Sequence, residues 1–274
     1  MSARPTLLGI PYDASSSYLR GAAQAPPLIR RALSSPSSNS WSESLRDLGT
    51  LSDAGDVDVS ATDDAREAIH RAAASILRAG NRPLSLGGDH SITYPLLRAF
   101  RAPQPRLTIL HIDAHADLYE VFDGDRHSHA CPFARVMEEH LADRLVQVGI
   151  RTLNAHQRAQ ADRYNVEVID MRAFAVGRRP VVDGPVYLSL DLDALDPAFA
   201  PGVSHWEPGG LTTRDVVTII QTMKGRLVGA DVVEYNPVRD PTGVTAMVAA
   251  KLVKEIASRM LEDDSPEVAA LMAR

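Results

Sequence analysis

At 274 residues the chain is long enough for one large α/β domain with a sizeable core, and 45% hydrophobic against 23% charged residues is ordinary for a globular protein. A formal net charge of −6 with scattered basic residues argues against a polyanionic partner such as nucleic acid, and no run is long enough to span a bilayer. The single cysteine, Cys131, rules out an internal disulfide and fits a reducing compartment, and residues Met1 to Pro5 lack the apolar core of a signal peptide, so the expected location is the cytoplasm.

Thr6 to Ile10 reads as the first strand, and Pro26-Pro27 opens a helix through Leu33, where proline suits the first turn. Ser34 to Ser44 is a serine-rich, mobile loop, and Leu51 to Val59 carries Asp53, Asp56 and Asp58 around a turn. Asp63 to Ala79 has helical apolar spacing and stops at Gly80. A strand over Leu84 to Leu86 runs into Gly87-Gly88-Asp89-His90, where glycine lets the backbone double sharply, and a helix follows from Ile92 to Phe100. The apolar run Leu107 to Leu110 is a buried strand leading into His111-Ile112-Asp113-Ala114-His115-Ala116-Asp117. Leu118 to His129 is a polar loop, Pro132 to His140 a helix, and Arg144 to Val148 a strand. A helix at Ala155 to Arg163 and a strand at Val166 to Ile169 precede Val186 to Leu190, a strand ending in Asp191 and Asp193. Asp196 to Gly210, rich in proline and glycine, is a shaped loop. Thr212 or Thr213 caps a helix into Met223, Leu227 to Val233 is a strand ending at Glu234, and Thr242 to Met260 is the final helix. This alternation predicts an α/β fold, a single three-layer domain over residues 1–274 with a mainly parallel sheet flanked by helices.

Three strand ends carry the chemistry. In extended backbone alternate side chains share a face, so Asp113, His115 and Asp117 are expected to converge, as are Asp191 and Asp193. His90 arrives from the glycine turn, and all of them meet at the carboxyl edge of the sheet, where open α/β sheets place ligands. Any one of these residues alone reads as an ordinary loop polar group, and a lone Asp-X-Asp is weak. Two imidazoles and four carboxylates together would repel or desolvate badly without a cation. With no thiolate among them, the set suits Mn²⁺ better than structural zinc. Four carboxylates exceed the need of one divalent ion, so two ions about 3.5 Å apart, bridged by shared carboxylates, are expected, with a bridging water ionised near neutral pH.

Gly87-Gly88-Asp89-His90-Ser91, Asp113-Ala114-His115-Ala116-Asp117 and Ser189-Leu190-Asp191-Leu192-Asp193-Ala194-Leu195-Asp196-Pro197 resemble the three signatures of the ureohydrolase family, the arginases and agmatinases, in the same order and spacing. The resemblance runs from near Gly9 to Met260. Pro201-Gly202-Val203-Ser204-His205-Trp206-Glu207-Pro208-Gly209-Gly210, Ala230-Asp231-Val232-Val233-Glu234-Tyr235-Asn236-Pro237 and Thr245 to Ala250 resemble the plant-type arginases within it.

That resemblance implies an arginase-like fold and two manganese ions: His90 and Asp117 on one, His115 and Asp193 on the other, Asp113 and Asp191 bridging. It implies hydrolysis of a guanidino group to urea, or hydroxyurea from an N-hydroxylated substrate, with Glu234 accepting hydrogen bonds from the guanidinium. Of the two loop histidines, His127 and His129, it selects His129 as the proton shuttle, and Asp193 also orients the nucleophile. His111 reads as a satisfied core histidine, Asp89 as a brace for the glycine turn, Asp196 and Pro197 as loop-shaping, and Cys131 as a buried small residue. His205 and Trp206 read equally as substrate contacts or packing. Asn154 and Gln157 stand where many arginases place acidic residues for an α-ammonium group, and neutral amides hold a cation less well, which leaves arginine, agmatine, N-hydroxyarginine and other guanidino compounds open. The rivals are a two-metal phosphoesterase, for which the Gly-Asn-His signature is missing, a single-zinc deacylase, and a non-catalytic metal-binding protein. The family forms homo-oligomers, while the final helix shows no extended tail for subunit contacts, so a monomer stays open.

Overall fold

The apolar runs become strands buried on both faces, as a parallel sheet requires. In the computed structural model, which describes residues 3–60, 64–104 and 106–262, the strands are β1 Pro5–Gly9, β2 Ser52–Asp56, β3 Arg82–Leu86, β4 Thr108–Ile112, β5 Arg144–Ile150, β6 Glu167–Asp170, β7 Pro185–Asp191 and β8 Arg226–Val233. The helices are α1 Ala25–Leu33, α2 Ala65–Arg78, α3 Thr93–Arg98, α4 Pro132–Glu138, α5 Ala155–Arg163, α6 Met171–Ala175, α7 Thr213–Thr222 and α8 Val244–Glu262. The strands form a single sheet in the order β2-β1-β3-β8-β7-β4-β5-β6, with every neighbouring pair parallel.

Strand alternation splits the core into two layers. Leu110, Ile112, Val186, Leu188 and Leu190 face α1, α6, α7 and α8, while Ile109 and Tyr187 face α3, α4 and α5. A further patch sets Leu8 and Val233 against α2. The result is one three-layer domain, helices on either face of the sheet. The expected extent over residues 1–274 reaches beyond the described residues at both ends.

Three elements differ from the sequence reading. The Asp-rich turn at Asp53 to Asp58 contains β2, whose residues are all exposed, so no apolar pattern announces it. It is an edge strand held by its ladder to β1, and the Arg30 pairs to Asp53 (2.7 Å) and Asp56 are half-exposed, worth about 1 kcal/mol or less each. Helix α6 escaped notice because it is five residues long; Asp170 caps it by accepting from the Ala173 amide at 2.8 Å. The serine-rich loop is tied to α8, with Lys254 Nζ donating to Ser38 Oγ (2.8 Å) and Ser42 bonded to Ser258 (2.9 Å).

The glycine pair after β3 is needed for close approach rather than for a left-handed turn. A Cβ on Gly88 would sit 1.7 Å from the Tyr12 carbonyl oxygen, and one on Gly87 would sit 2.7 Å from Ile92 and Val233 side-chain atoms. The packed turn clamps the Tyr12–Ser17 loop over the end of β3 through the Asp89 amide, which donates to Tyr12 O at 2.9 Å.

Candidate active site

The four central strands, β3-β8-β7-β4, lie side by side and point the same way. Their carboxyl ends deliver His90, Glu234, Asp191 with Asp193, and Asp113 through Asp117 to one edge. The convergence does not come from strand alternation. β4 ends at Ile112, and although the Asp113 amide still donates to Val148 O at 3.0 Å, the chain then bends, with Asp117 at φ 48°. Asp193 sits in a tight 3₁₀ turn, Leu192–Ala194, whose amide donates to Asp191 Oδ1 at 2.8 Å. Bends at the strand ends, not the pleat, gather the carboxylates.

His90 Nδ1 lies 3.1 Å from each of three carboxylate oxygens, Oδ2 of Asp113, of Asp117 and of Asp191. His115 Nδ1 lies 3.1 Å from Asp193 Oδ2 and 3.4 Å from Asp113 Oδ1. Asp113 therefore gives one oxygen to each imidazole. All these residues are buried except His115, which is partly exposed. Burial pushes the Asp191 carboxyl well above the usual range, and Asp193 and Asp113 add to it, a sign of crowded negative charge.

The surrounding hydrogen bonds set the tautomers. Asp231, fully buried, accepts from Thr93 Oγ1 (2.9 Å), Tyr187 OH (2.7 Å) and Ser189 Oγ (2.7 Å). Having donated to Asp231, Ser189 Oγ accepts from His90 Nε2 at 2.9 Å. His90 then carries its proton on Nε2, and its Nδ1 lone pair faces three carboxylate oxygens with no hydrogen-bond partner. Lone pairs converging at that range need a cation between them, so the residues present fit a metal ion. His111 is satisfied on both sides, as expected for a core histidine: Gln147 Nε2 donates to its Nδ1 (3.0 Å) and its Nε2 donates to Asp113 Oδ2 (2.7 Å). It thus also orients the carboxylate shared by the two imidazoles.

The opposite wall holds His129 and Glu234. His129 Nδ1 is 3.0 Å from Glu234 Oε1, and its Nε2 is 2.8 Å from Ser17 Oγ. Burial works to lower the His129 pKa, but the Glu234 carboxylate outweighs it and raises the group to about 9. Glu234 Oε1 also accepts from the His90 amide at 2.9 Å, which locks the end of β8 to the end of β3. His205 stacks on His129 with ring centres 5.4 Å apart and lies edge-on to His115 at 5.7 Å.

These groups line a cavity of about 190 Å³, together with Ser17, Tyr119, Phe122, Thr152, Gln157 and Glu207. His127 is not among its walls and stacks near Tyr94. Asp89 accepts from Ser15 N, Ser16 Oγ and Ser91, bracing the turn as expected, and Asp196 accepts from the amides of Ala198 and Gly209, shaping its loop. Trp206 is half exposed and stacks under Arg239 rather than entering the cavity. Ser17, Asp231 and Glu207 were not singled out in the sequence. Ser17 carries no motif at all, whereas the other two lie inside quoted motifs and could have been flagged as carboxylates beside ligand positions.

The family model described as "Arginase family" matches residues 3–258. Arginase 1, mitochondrial, of Arabidopsis thaliana is 47% identical over 94% of this chain and 81% of its own length. Guanidinopropionase of Pseudomonas aeruginosa is 36% identical over 93% of this chain and 86% of its own. The solved arginase from Medicago truncatula superposes with a TM-score of 0.90 at 44% identity, covering 94% of this chain and 88% of that one. The cytoplasmic expectation is overturned here, because plant arginases 45% to 47% identical to this chain are named mitochondrial or chloroplastic. A lone cysteine reports on redox conditions, which several compartments satisfy, and carries no address. By matched length, identity and superposition, this chain belongs to the arginase family, hydrolases that act on the amidine carbon of guanidino groups.

Proposed function

We propose that the protein is a dinuclear manganese enzyme that hydrolyses the guanidino group of arginine or a close analogue to urea and an amine. The observation that carries this is the position of Asp113, one oxygen toward His90 and the other toward His115, as a carboxylate shared by two metal ions would be placed. His90 and Asp117 would hold one ion, His115 and Asp193 the other, with Asp113 and Asp191 between them. Bound there, the ions would supply hydroxide from water near neutral pH. Nitrogen and oxygen donors without thiolate favour manganese.

The chain's own groups do the rest. Glu234, whose Oε1 is occupied by His90 N and His129, keeps Oε2 to accept from a guanidinium N–H and hold that planar cation in place. Hydroxide oxygen adds to the guanidinium carbon, giving a neutral tetrahedral carbon. As the C–N bond to the alkyl nitrogen breaks and the C=O of urea forms, Asp193 takes the hydroxyl proton, which afterwards returns to His129. His129, kept protonated by Glu234, delivers a proton to that nitrogen so that it leaves as a neutral amine while urea forms. Asp193, with Oδ2 toward His115 and Oδ1 accepting from the Ala114 amide at 3.3 Å, is fixed to orient the nucleophile.

Urea release from manganese-loaded protein, with L-arginine, agmatine, N-hydroxy-L-arginine and guanidino acids in parallel, tests this. Turnover of at least one is expected; two bound metals per chain with no turnover of any would refute the reading.

A further inference from the structure

The two amides that replace the acidic residues of other arginases are already spent in this fold. Asn154 caps α5 by accepting from the Gln157 amide (2.9 Å) and donates to Tyr119 OH (2.6 Å). Gln157 is buried, with its side-chain oxygen turned to the Leu118 amide. Both amide oxygens thus already accept a backbone N–H, and neither amide carries the negative charge that would hold a substrate cation strongly. A carboxylate nevertheless reaches the cavity from the Asp196–Gly210 loop. Glu207 Oε1 lies 3.8 Å from His115 Nε2, on the side of the ring opposite to Nδ1, Asp113 and Asp193. It is therefore one imidazole width outward from the metal-facing cluster, toward the mouth, and more than a third of its side chain is exposed.

Its backbone is fixed. Arg151 donates through Nε (2.8 Å) and Nη2 (2.6 Å) to the Glu207 carbonyl oxygen, and through Nη2 to Asp193 O (2.7 Å). One guanidinium thus clamps the loop to the turn that carries a metal-facing carboxylate. With Arg151 so engaged, no Lys or Arg lines the cavity among the described residues. Outward of His115, Glu207 thus brings a carboxylate with no Lys or Arg beside it in the cavity lining.

We propose that Glu207 is the specificity-determining residue that reads the far end of the substrate, binding an ammonium group and rejecting guanidino acids that end in a carboxylate alone. The inference rests on the reading of the site as a guanidino hydrolase. A chain with its guanidinium at Glu234 and the metal-facing carboxylates would run outward past the His115 ring, where an ammonium meets Glu207 in a charge-assisted hydrogen bond and a bare carboxylate meets a like charge.

The test compares unsubstituted protein with Glu207→Gln, both manganese-loaded with metal content measured, on L-arginine, agmatine and 4-guanidinobutyrate. The unsubstituted protein should favour an ammonium-bearing substrate. In Glu207→Gln the KM for that substrate should rise about tenfold with kcat nearly constant, and its kcat/KM advantage over 4-guanidinobutyrate should collapse by about tenfold or more. An unchanged ratio would overturn the proposal. So would loss of metal with an equal fall in kcat on all three substrates, which would make Glu207 a prop for His115. Absence of turnover on any substrate by unsubstituted, metal-loaded protein would sink the guanidino-hydrolase reading and this inference with it, and is told apart from the other two outcomes because no variant is involved.

Discussion

Asp117 and Glu234 are both held at left-handed φ, 48° and 62°, a conformation costing non-glycine residues on the order of 1 kcal/mol or more. Each sits where a strand end turns its side chain into the site, and the hydrogen bond from the His90 amide to Glu234 helps hold the strained turn. His129 is the residue whose chemistry this geometry sets most clearly. Its pKa is raised to about 9, so the protonated form is full at neutral pH and is lost as pH rises through that value. Turnover should therefore fall on an alkaline limb near there. His129→Ala should lower kcat by about 10²-fold, remove that limb and leave metal content intact; a pH–rate profile with metal analysis checks this, and unchanged turnover would move the proton donor elsewhere. The ligand-type residues were legible because their identity and spacing are themselves the signal. Ser17 was not, since it reaches His129 only through the fold of a loop distant in sequence.

Between β7 and β8 the element scale governs. Register pairs Ser189 with Asp231, and that cross-strand contact passes the order of a buried hub, Thr93, Tyr187 and Asp231, to His90 at the end of β3. Ser189→Ala would free His90 Nε2 and let the ring rotate, weakening manganese affinity by about tenfold. Manganese titration of the variant measures this; unchanged affinity would show that packing against Phe133, at 5.3 Å between ring centres, suffices to hold the ring. Helices were legible where spacing and caps agree. Residues 155–163 matched α5 end to end, and Thr212 forms a full capping box with Asp215. β2 was hidden because an exposed edge strand needs no apolar face, and the sharp turns after β4 and β7 were mistaken for continued pleat.

Across the whole molecule, the sheet order explains why residues far apart in sequence form one site. β3, β8, β7 and β4 are neighbours only because β8 returns to the middle of the sheet, between β3 and β7. Alternation of strands and helices foretells a parallel sheet, but the order of its strands is a long-range packing choice to which local periodicity is blind. No helix among the described residues is long and apolar enough to cross a membrane. The most direct test of a shared-carboxylate centre is metal analysis of manganese-loaded protein beside Asp113→Asn. About two ions per chain are expected in the unsubstituted protein, and the variant should lose at least one of them along with nearly all urea release. Two ions retained with normal turnover after Asp113→Asn would contradict a centre joined by that residue.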